Sequence, residues 1–187
     1  MEAIVPAFLL AVITQLGERP AMAAALLADR YGRPLLVALG ALLAHAAGNF
    51  AAAAAGMAMA PMMTPNAKAL LLAVALVLGG FGGLFRSRLK DWLEGWKLGT
   101  LFSTFFAILT LALGERTQFF TLALATHGQP WFAAAGATIG AFGVGFVASV
   151  LGELSWKQIN FRWLRIGSSL LMLAAGAWIG LGAVRLI

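Results

Sequence analysis

Runs of about 20 mostly apolar residues constrain this chain most strongly, because a helix of that length crosses a hydrocarbon core about 30 Å thick. Six such runs cover most of the 187 residues, at 4–28, 34–55, 67–85, 98–125, 130–152 and 163–184. The short connections between them leave no room for a soluble domain. The sequence therefore predicts an all-α polytopic membrane protein with six transmembrane helices in a single membrane domain, residues 1–187.

The charged residues follow a membrane topology. Only 11% of the residues are charged, against about 25% in a soluble domain. If the six helices alternate in direction, one side of the membrane collects nine basic residues: Arg30, Arg33, Arg86, Arg88, Lys90, Lys97, Lys157, Arg162 and Arg165. The other side collects Lys68 and Arg185. Because basic loops stay cytoplasmic, we expect both termini on the non-cytoplasmic side of a bacterial inner membrane. The basic excess indicates contact with the lipid bilayer and no nucleic-acid partner.

The two halves of the chain repeat one another. "LGERPAMAAALLA", from Leu16, aligns with "LGERTQFFTLALA", from Leu113, and "GRPLLVALGALL", from Gly32, aligns with "GQPWFAAAGATI", from Gly128. Each half holds three predicted helices, an odd number, so the second half must enter from the opposite side. We expect two inverted three-helix repeats, 1–85 and 98–187, joined by a basic cytoplasmic linker, 86–97. This arrangement is typical of secondary transporters with a site near the membrane midplane.

Two of the seven acidic residues, Glu18 and Glu115, lie at membrane depth in equivalent positions of the repeats. Each is followed by an arginine, Arg19 or Arg116. A charge at a helix centre costs roughly 2.5–3.5 kcal/mol, so such groups normally mark ion pathways. Adjacent residues on a helix point about 100° apart, which leaves cross-repeat pairing of Glu18 with Arg116 and of Glu115 with Arg19 as a structural alternative.

The backbone near these acids favours an ion site. Pro20 has no amide hydrogen, so the carbonyl of Leu16 loses its helical donor, and Gly17 adds flexibility. Carbonyls freed at a broken helix beside a carboxylate are typical ligands of hard cations. In the second repeat, the Thr117 hydroxyl and the Gln118 amide would supply oxygen instead.

"QLGERP" and "ALGERTQ", one in each half, resemble the doubled E-x-G-D-[KR]-[ST] signature of the transmembrane-protein-165 family of small cation/proton exchangers. The resemblance implies exchange of Mn²⁺ or Ca²⁺ for protons, with the metal as transported substrate and no cofactor. It places the family's Asp on Glu18 and Glu115, its base on Arg19 and Arg116, and its Ser/Thr on Pro20 and Thr117. The family's first acid falls on Gln15, which keeps a carbonyl oxygen, and on Ala112, which offers no ligand.

A second candidate group lies in the second predicted helix. His45 and Asn49 are four residues apart and therefore share one helix face. His45 can carry protons or bind Mn²⁺, so both residues are candidates for the transport pathway. Hydrogen bonds between packed membrane helices explain the same residues.

The sequence contains no phosphate-binding loop, nucleophile elbow, zinc-ligand spacing or cysteine, and we expect no enzyme activity. The expected function is a secondary-active antiporter that exports a divalent cation in exchange for protons at a midplane site formed by the two Gly-Glu-Arg motifs. Two alternatives stay open: a transporter of the same fold whose solute is held by Arg19 and Arg116, and a non-transporting membrane interaction or regulatory protein. A homo-oligomer is compatible with each.

Overall fold

The computed structural model describes residues 2–85 and 98–184. The predicted basic linker 86–97 and Arg185 lie outside these residues. Within them the fold is all-helical, without strands, and a short 3₁₀ turn follows the third helix. The α-helices of the described residues are α1 (Ile4–Gln15), α2 (Arg19–Tyr31), α3 (Pro34–Met59), α4 (Pro65–Leu84), α5 (Thr100–Ala112), α6 (Arg116–Ala125), α7 (Pro130–Gln158) and α8 (Arg162–Ala183).

Four of the described helices are long and apolar enough to cross a membrane: α3 with its 3₁₀ turn, α4, α7 and α8. The chain is therefore an integral membrane protein. The other two predicted transmembrane helices, 4–28 and 98–125, are each divided into two short helices, α1 with α2 and α5 with α6. The count of six membrane crossings stays a prediction.

The two interruptions have the same backbone geometry. In each, a glycine adopts a left-handed conformation, with φ of 79° at Gly17 and 80° at Gly114. Glycine reaches this region without the steric penalty that a Cβ imposes. Pro20 is in the first turn of α2, whereas Thr117 is the corresponding residue of α6. Because the second interruption forms without proline, we attribute both breaks to the shared glycine.

The order of helices is short, short, long, long in each half, and the packing nearly repeats as well. Helix α1 packs against α7 as α5 packs against α3, α2 packs against α7 as α6 packs against α3, and α3 and α7 cross each other. Helix α4 packs along α8. Two contacts lack a comparable counterpart among the described helices: α6 packs against α4 but α2 does not pack comparably against α8, and α1 touches α8 but α5 does not pack comparably against α4.

Small residues allow these helices to approach closely, as the sequence of the predicted second and fifth helices indicates. A Cβ at Gly56 of α3 would collide with the carbonyl oxygen of Leu122, and one at Gly136 of α7 would collide with that of Ile4. Backbone carbonyls cannot move aside as flexible side chains can. The crossings of α3 with α6 and of α7 with α1 therefore depend on glycine.

Helix α7 extends to Gln158, beyond the predicted end of its apolar run at 152, but it is not regular throughout. Gly152 has φ of 74° and breaks the helix where the run was expected to end. The Asp29 carboxylate of α2 accepts a hydrogen bond from the Glu153 amide (2.7 Å). This contact satisfies an amide that the break leaves without a helical acceptor.

Candidate ion site between the two helix breaks

Both motif glutamates occupy the position that precedes a helix. Glu18 is the N-cap of α2 and Glu115 is the N-cap of α6, each with extended backbone. Neither side chain forms the usual cap hydrogen bond to its own helix. A helix N-terminus stabilises nearby negative charge. The breaks therefore place both carboxylates beside a helix N-terminus, without binding them to the local helix.

A cavity of about 260 Å³ lies between the two breaks. Since one water fills about 30 Å³ of liquid, the cavity can hold a cation with several waters. The residues that line it are Thr14, Glu18, Arg19, Gly82, Leu111, Leu113, Gly114, Glu115, Arg116 and Thr117. Both predicted acids and both predicted bases thus meet in one cavity, although they are far apart in sequence.

Arg116 connects three other helices to α6. Its guanidinium forms an ion pair with Glu18, and both side chains are largely buried. Its Nη1 donates to the carbonyl of Gly79 in α4 (3.0 Å), and its Nη2 donates to the carbonyl of Thr14 in α1 (3.2 Å). One of the two cross-repeat pairs that the sequence left open, Glu18 with Arg116, is therefore present.

Glu115 has a different partner. The Gln15 side chain donates from Nε2 to Glu115 Oε2 (3.1 Å) and lies 3.3 Å from the Thr117 hydroxyl. Arg19 lines the same cavity and is exposed. The neutral amide of Gln15 binds Glu115, whereas the positively charged guanidinium of Arg116 binds Glu18. The two equivalent acids therefore have unlike surroundings.

Two residues of this site were not predicted from the sequence, Thr14 and Gly79. The Thr14 hydroxyl lies 3.1 Å from that of Thr117 and donates to the Leu10 carbonyl (2.6 Å), which leaves its oxygen free to accept a hydrogen bond from the Thr117 hydroxyl. Thr14 is a polar residue beside Gln15 in an apolar run, a signal that could have identified it. Gly79 contributes only a carbonyl, for which the sequence carries no signal.

The remaining ligand candidates of the motifs, Leu16 and Gln118, are not among the residues that line the cavity. Leu16 is the C-cap of α1, and Pro20, four residues later, has no amide hydrogen to offer its carbonyl. Gln118 instead stabilises the backbone of the second break, because its Oε1 accepts a hydrogen bond from the Gly114 amide (3.2 Å). The amide group of Gln118 also packs so closely against Gly48 that a Cβ there would collide with it.

His45 and Asn49 are buried in α3 and are not among the residues that line the cavity. Asn49 donates to the Thr138 hydroxyl of α7 (3.3 Å), which is the inter-helix hydrogen bond expected from packing. Their role in the pathway stays a prediction.

The donor set of the cavity consists of oxygen. Within residues 2–85 and 98–184, no group of three or more His, Cys, Asp and Glu residues is arranged to hold a metal ion. A cation bound here would have the two glutamates and neutral oxygens from threonine, Gln15 or water as ligands. All-oxygen ligand sets suit Mg²⁺, Ca²⁺ and Mn²⁺.

In a comparison with protein families, the chain matches the family described as divalent cation/proton antiporter GDT1. The family model matches residues 3–91 and 100–186, which is nearly the whole chain. No curated protein and no solved structure matches significantly.

Proposed function

The chain belongs to the GDT1 family of divalent cation/proton antiporters, and from this membership we propose that it exports Mn²⁺ or Ca²⁺ in exchange for protons through the cavity between the helix breaks. The family resemblance predicted from the two Gly-Glu-Arg motifs is thereby confirmed. Glu18 and Glu115 are the proposed binding groups for both the metal cation and the protons.

One observation carries the proposal: two separate helix breaks direct the two acids at membrane depth into the same cavity. A carboxyl group in dry surroundings is stabilised in its protonated form, and a bound cation stabilises the carboxylate instead. The same oxygens therefore bind either protons or a metal ion, and this mutual exclusion couples the two fluxes. Arrival of the cation from the cytoplasm would release protons, and protons from the other side would release the cation.

The oxygen ligands support Mn²⁺ and Ca²⁺ as substrates. The Gln15 amide, already beside Glu115, can turn its carbonyl oxygen toward the cation. The hydroxyls of Thr14 and Thr117 lie next to it. These neutral oxygens replace the first acid of the family signature in the first repeat, and waters in the cavity complete the six to eight oxygens that Ca²⁺ requires.

We further propose that each broken pair, α1 with α2 and α5 with α6, crosses the membrane once, which gives six crossings in two inverted repeats. The repeated order of helix lengths and the nearly symmetric packing support this topology. The unequal distribution of basic residues supports termini on the non-cytoplasmic side of a bacterial inner membrane. Rocking of one repeat against the other would then expose the cavity to each side in turn.

The test is Mn²⁺ and Ca²⁺ flux into proteoliposomes under an imposed pH gradient. We expect wild-type flux that collapses in Glu18→Gln and in Glu115→Gln, because each variant loses a group that must bind both ions. Glu153→Gln, which changes an exposed pair with Lys157 outside the cavity, is the matched control and should retain flux. Normal flux in the Glu18→Gln, Glu115→Gln double variant would refute the site.

The alternative functions give different results in the same assay. Correctly inserted wild type without metal flux, but with uptake of an anionic solute, would favour a cargo bound by Arg19 and Arg116. Loss of stability in the glutamate variants, with no flux in the wild type, would favour a regulatory or interaction protein.

A further inference from the structure

The ion pair of Arg116 with Glu18 conflicts with cation binding at the same carboxylate. A guanidinium and a metal ion repel each other, so the cation that binds Glu18 must displace Arg116. A guanidinium released inside a membrane protein needs another acceptor, because an unpaired buried charge is strongly unfavourable. The carbonyls of Gly79 and Thr14 already accept from it, so a further acceptor has to come from elsewhere.

Ser169 of α8 is placed to be that acceptor. It is completely buried, and its hydroxyl has no hydrogen-bond partner among residues 2–85 and 98–184. Its neighbour Ser168, by contrast, donates to the carbonyl of Arg165 in its own helix. A buried hydroxyl without a partner is uncommon in native structures and calls for an explanation.

Ser169 and Arg116 both lie next to Gly83. A Cβ built on Gly83 would collide with both Arg116 Nη1 and Ser169 Oγ, so both atoms border the small space that the glycine leaves. Nη1 carries two hydrogens, and only one of them is needed for its bond to Gly79. A small rotation of the guanidinium would direct the other at the serine oxygen.

We propose that Ser169 is a positioning residue, which accepts a hydrogen bond from Arg116 when a divalent cation occupies Glu18. Gly83 leaves the room for this movement. The inference rests on the proposed function and adds that Arg116 acts as a tethered cation, bound to Glu18 in the metal-free state and to Ser169 in the metal-bound state.

The experiment measures Mn²⁺ binding by the purified protein in detergent micelles, so that it does not depend on transport. Loss of a hydrogen bond to a charged group changes an equilibrium constant about tenfold or more, and Ser169→Ala should therefore raise the half-saturating Mn²⁺ concentration by about that factor. Ser103→Ala is the matched control, since Ser103 in α5 is also buried and its hydroxyl has no partner among the residues that the structure describes. It should bind Mn²⁺ as the wild type does.

The decisive comparison is made in an Arg116→Gln background. In that background Ser169→Ala should leave the half-saturating Mn²⁺ concentration unchanged, because no guanidinium remains to donate a hydrogen bond to Ser169. Unchanged affinity in the single Ser169→Ala variant, or an equal loss with and without Arg116, would overturn the inference. Wild-type protein that binds neither Mn²⁺ nor Ca²⁺ would instead refute the proposed function itself.

A second variant covers the case in which Arg116→Gln does not fold. Gly83→Ala fills the space between the two side chains and should weaken Mn²⁺ binding in the same way. Combined with Ser169→Ala, it should weaken binding no further, because both changes remove one interaction. Additive losses would overturn the inference.

Discussion

Alanine substitution at the two break glycines tests whether the halves share a backbone geometry but differ in their surroundings. Gly17 and Gly114 have almost the same positive φ. A Cβ at Gly17 would lie 3.1 Å from Cβ of Phe161, whereas one at Gly114 would have no neighbour within 4 Å in the part of the chain that the structure describes. The two substitutions therefore impose the same backbone strain but different crowding.

The expected losses follow from these distances. A residue with a Cβ costs roughly 1–2 kcal/mol in the left-handed region, and this should be the whole effect of Gly114→Ala. Crowding in a packed interior adds about 1–3 kcal/mol, so Gly17→Ala should lower the free energy of unfolding by roughly 2–5 kcal/mol. In a Phe161→Gly background, which has neither the ring nor the Cβ of Phe161, the loss caused by Gly17→Ala should fall to the value found for Gly114→Ala.

The assay is unfolding of the purified protein in mixed micelles with increasing SDS, monitored by circular dichroism. Gly167→Ala is the control, because Gly167 lies within α8 and a Cβ there meets nothing within 4 Å in residues 2–85 and 98–184. Alanine in a helix interior should be neutral or stabilising by up to about 1 kcal/mol. Equal losses at positions 17 and 114 would refute the role of Phe161, and losses no greater than in the control would refute the left-handed breaks.

Two further substitutions test the surroundings of the cavity. Gln15→Glu adds a carboxylate beside Glu115, so the half-saturating Mn²⁺ concentration should fall. Without metal the two carboxylates repel each other, so the melting temperature measured in the presence of a chelator should also fall. If neither value changes, Gln15 does not lie beside Glu115. Gly48→Ala drives a Cβ into the end of the Gln118 side chain, which must move and give up its hydrogen bond from the Gly114 amide, so the protein should lose about 0.5–1.5 kcal/mol of stability. Gly143→Ala on α7, whose Cβ meets nothing within 4 Å among the described residues, should not destabilise it. Equal stability of these two variants would contradict the packing of Gln118.

The sequence predicted those parts of the site that depend on local chemistry. A glycine and an ionisable residue inside an apolar run leave few structural solutions, and their recurrence in both halves indicated two equivalent motifs that meet at one site. Glu18 and Glu115 could therefore be placed at one cavity before any distance was known. The left-handed glycines explain why the second break forms without the proline on which the first was argued.

The partners of these residues were not predictable in the same way. The choice of Arg116 rather than Arg19 as an ion-pair partner depends on the packing of α6 against α4, which supplies the Gly79 carbonyl. Contacts between distant helices leave no local pattern in the sequence. Gln118 also illustrates this limit, because its amide is used by the adjacent backbone and not by the cavity.

The unmatched contact between α6 and α4 has a consequence for the energetics of transport. If the halves are inverted as we propose, a perfectly symmetric protein would have two end states of equal free energy, one open to each side. The Arg116–Gly79 bond has no equivalent among the described residues of the other half, and the equivalence of the two states is lost. The metal-free transporter should then rest mainly in one orientation, and the ion gradients would have to work against that preference in one half of each cycle.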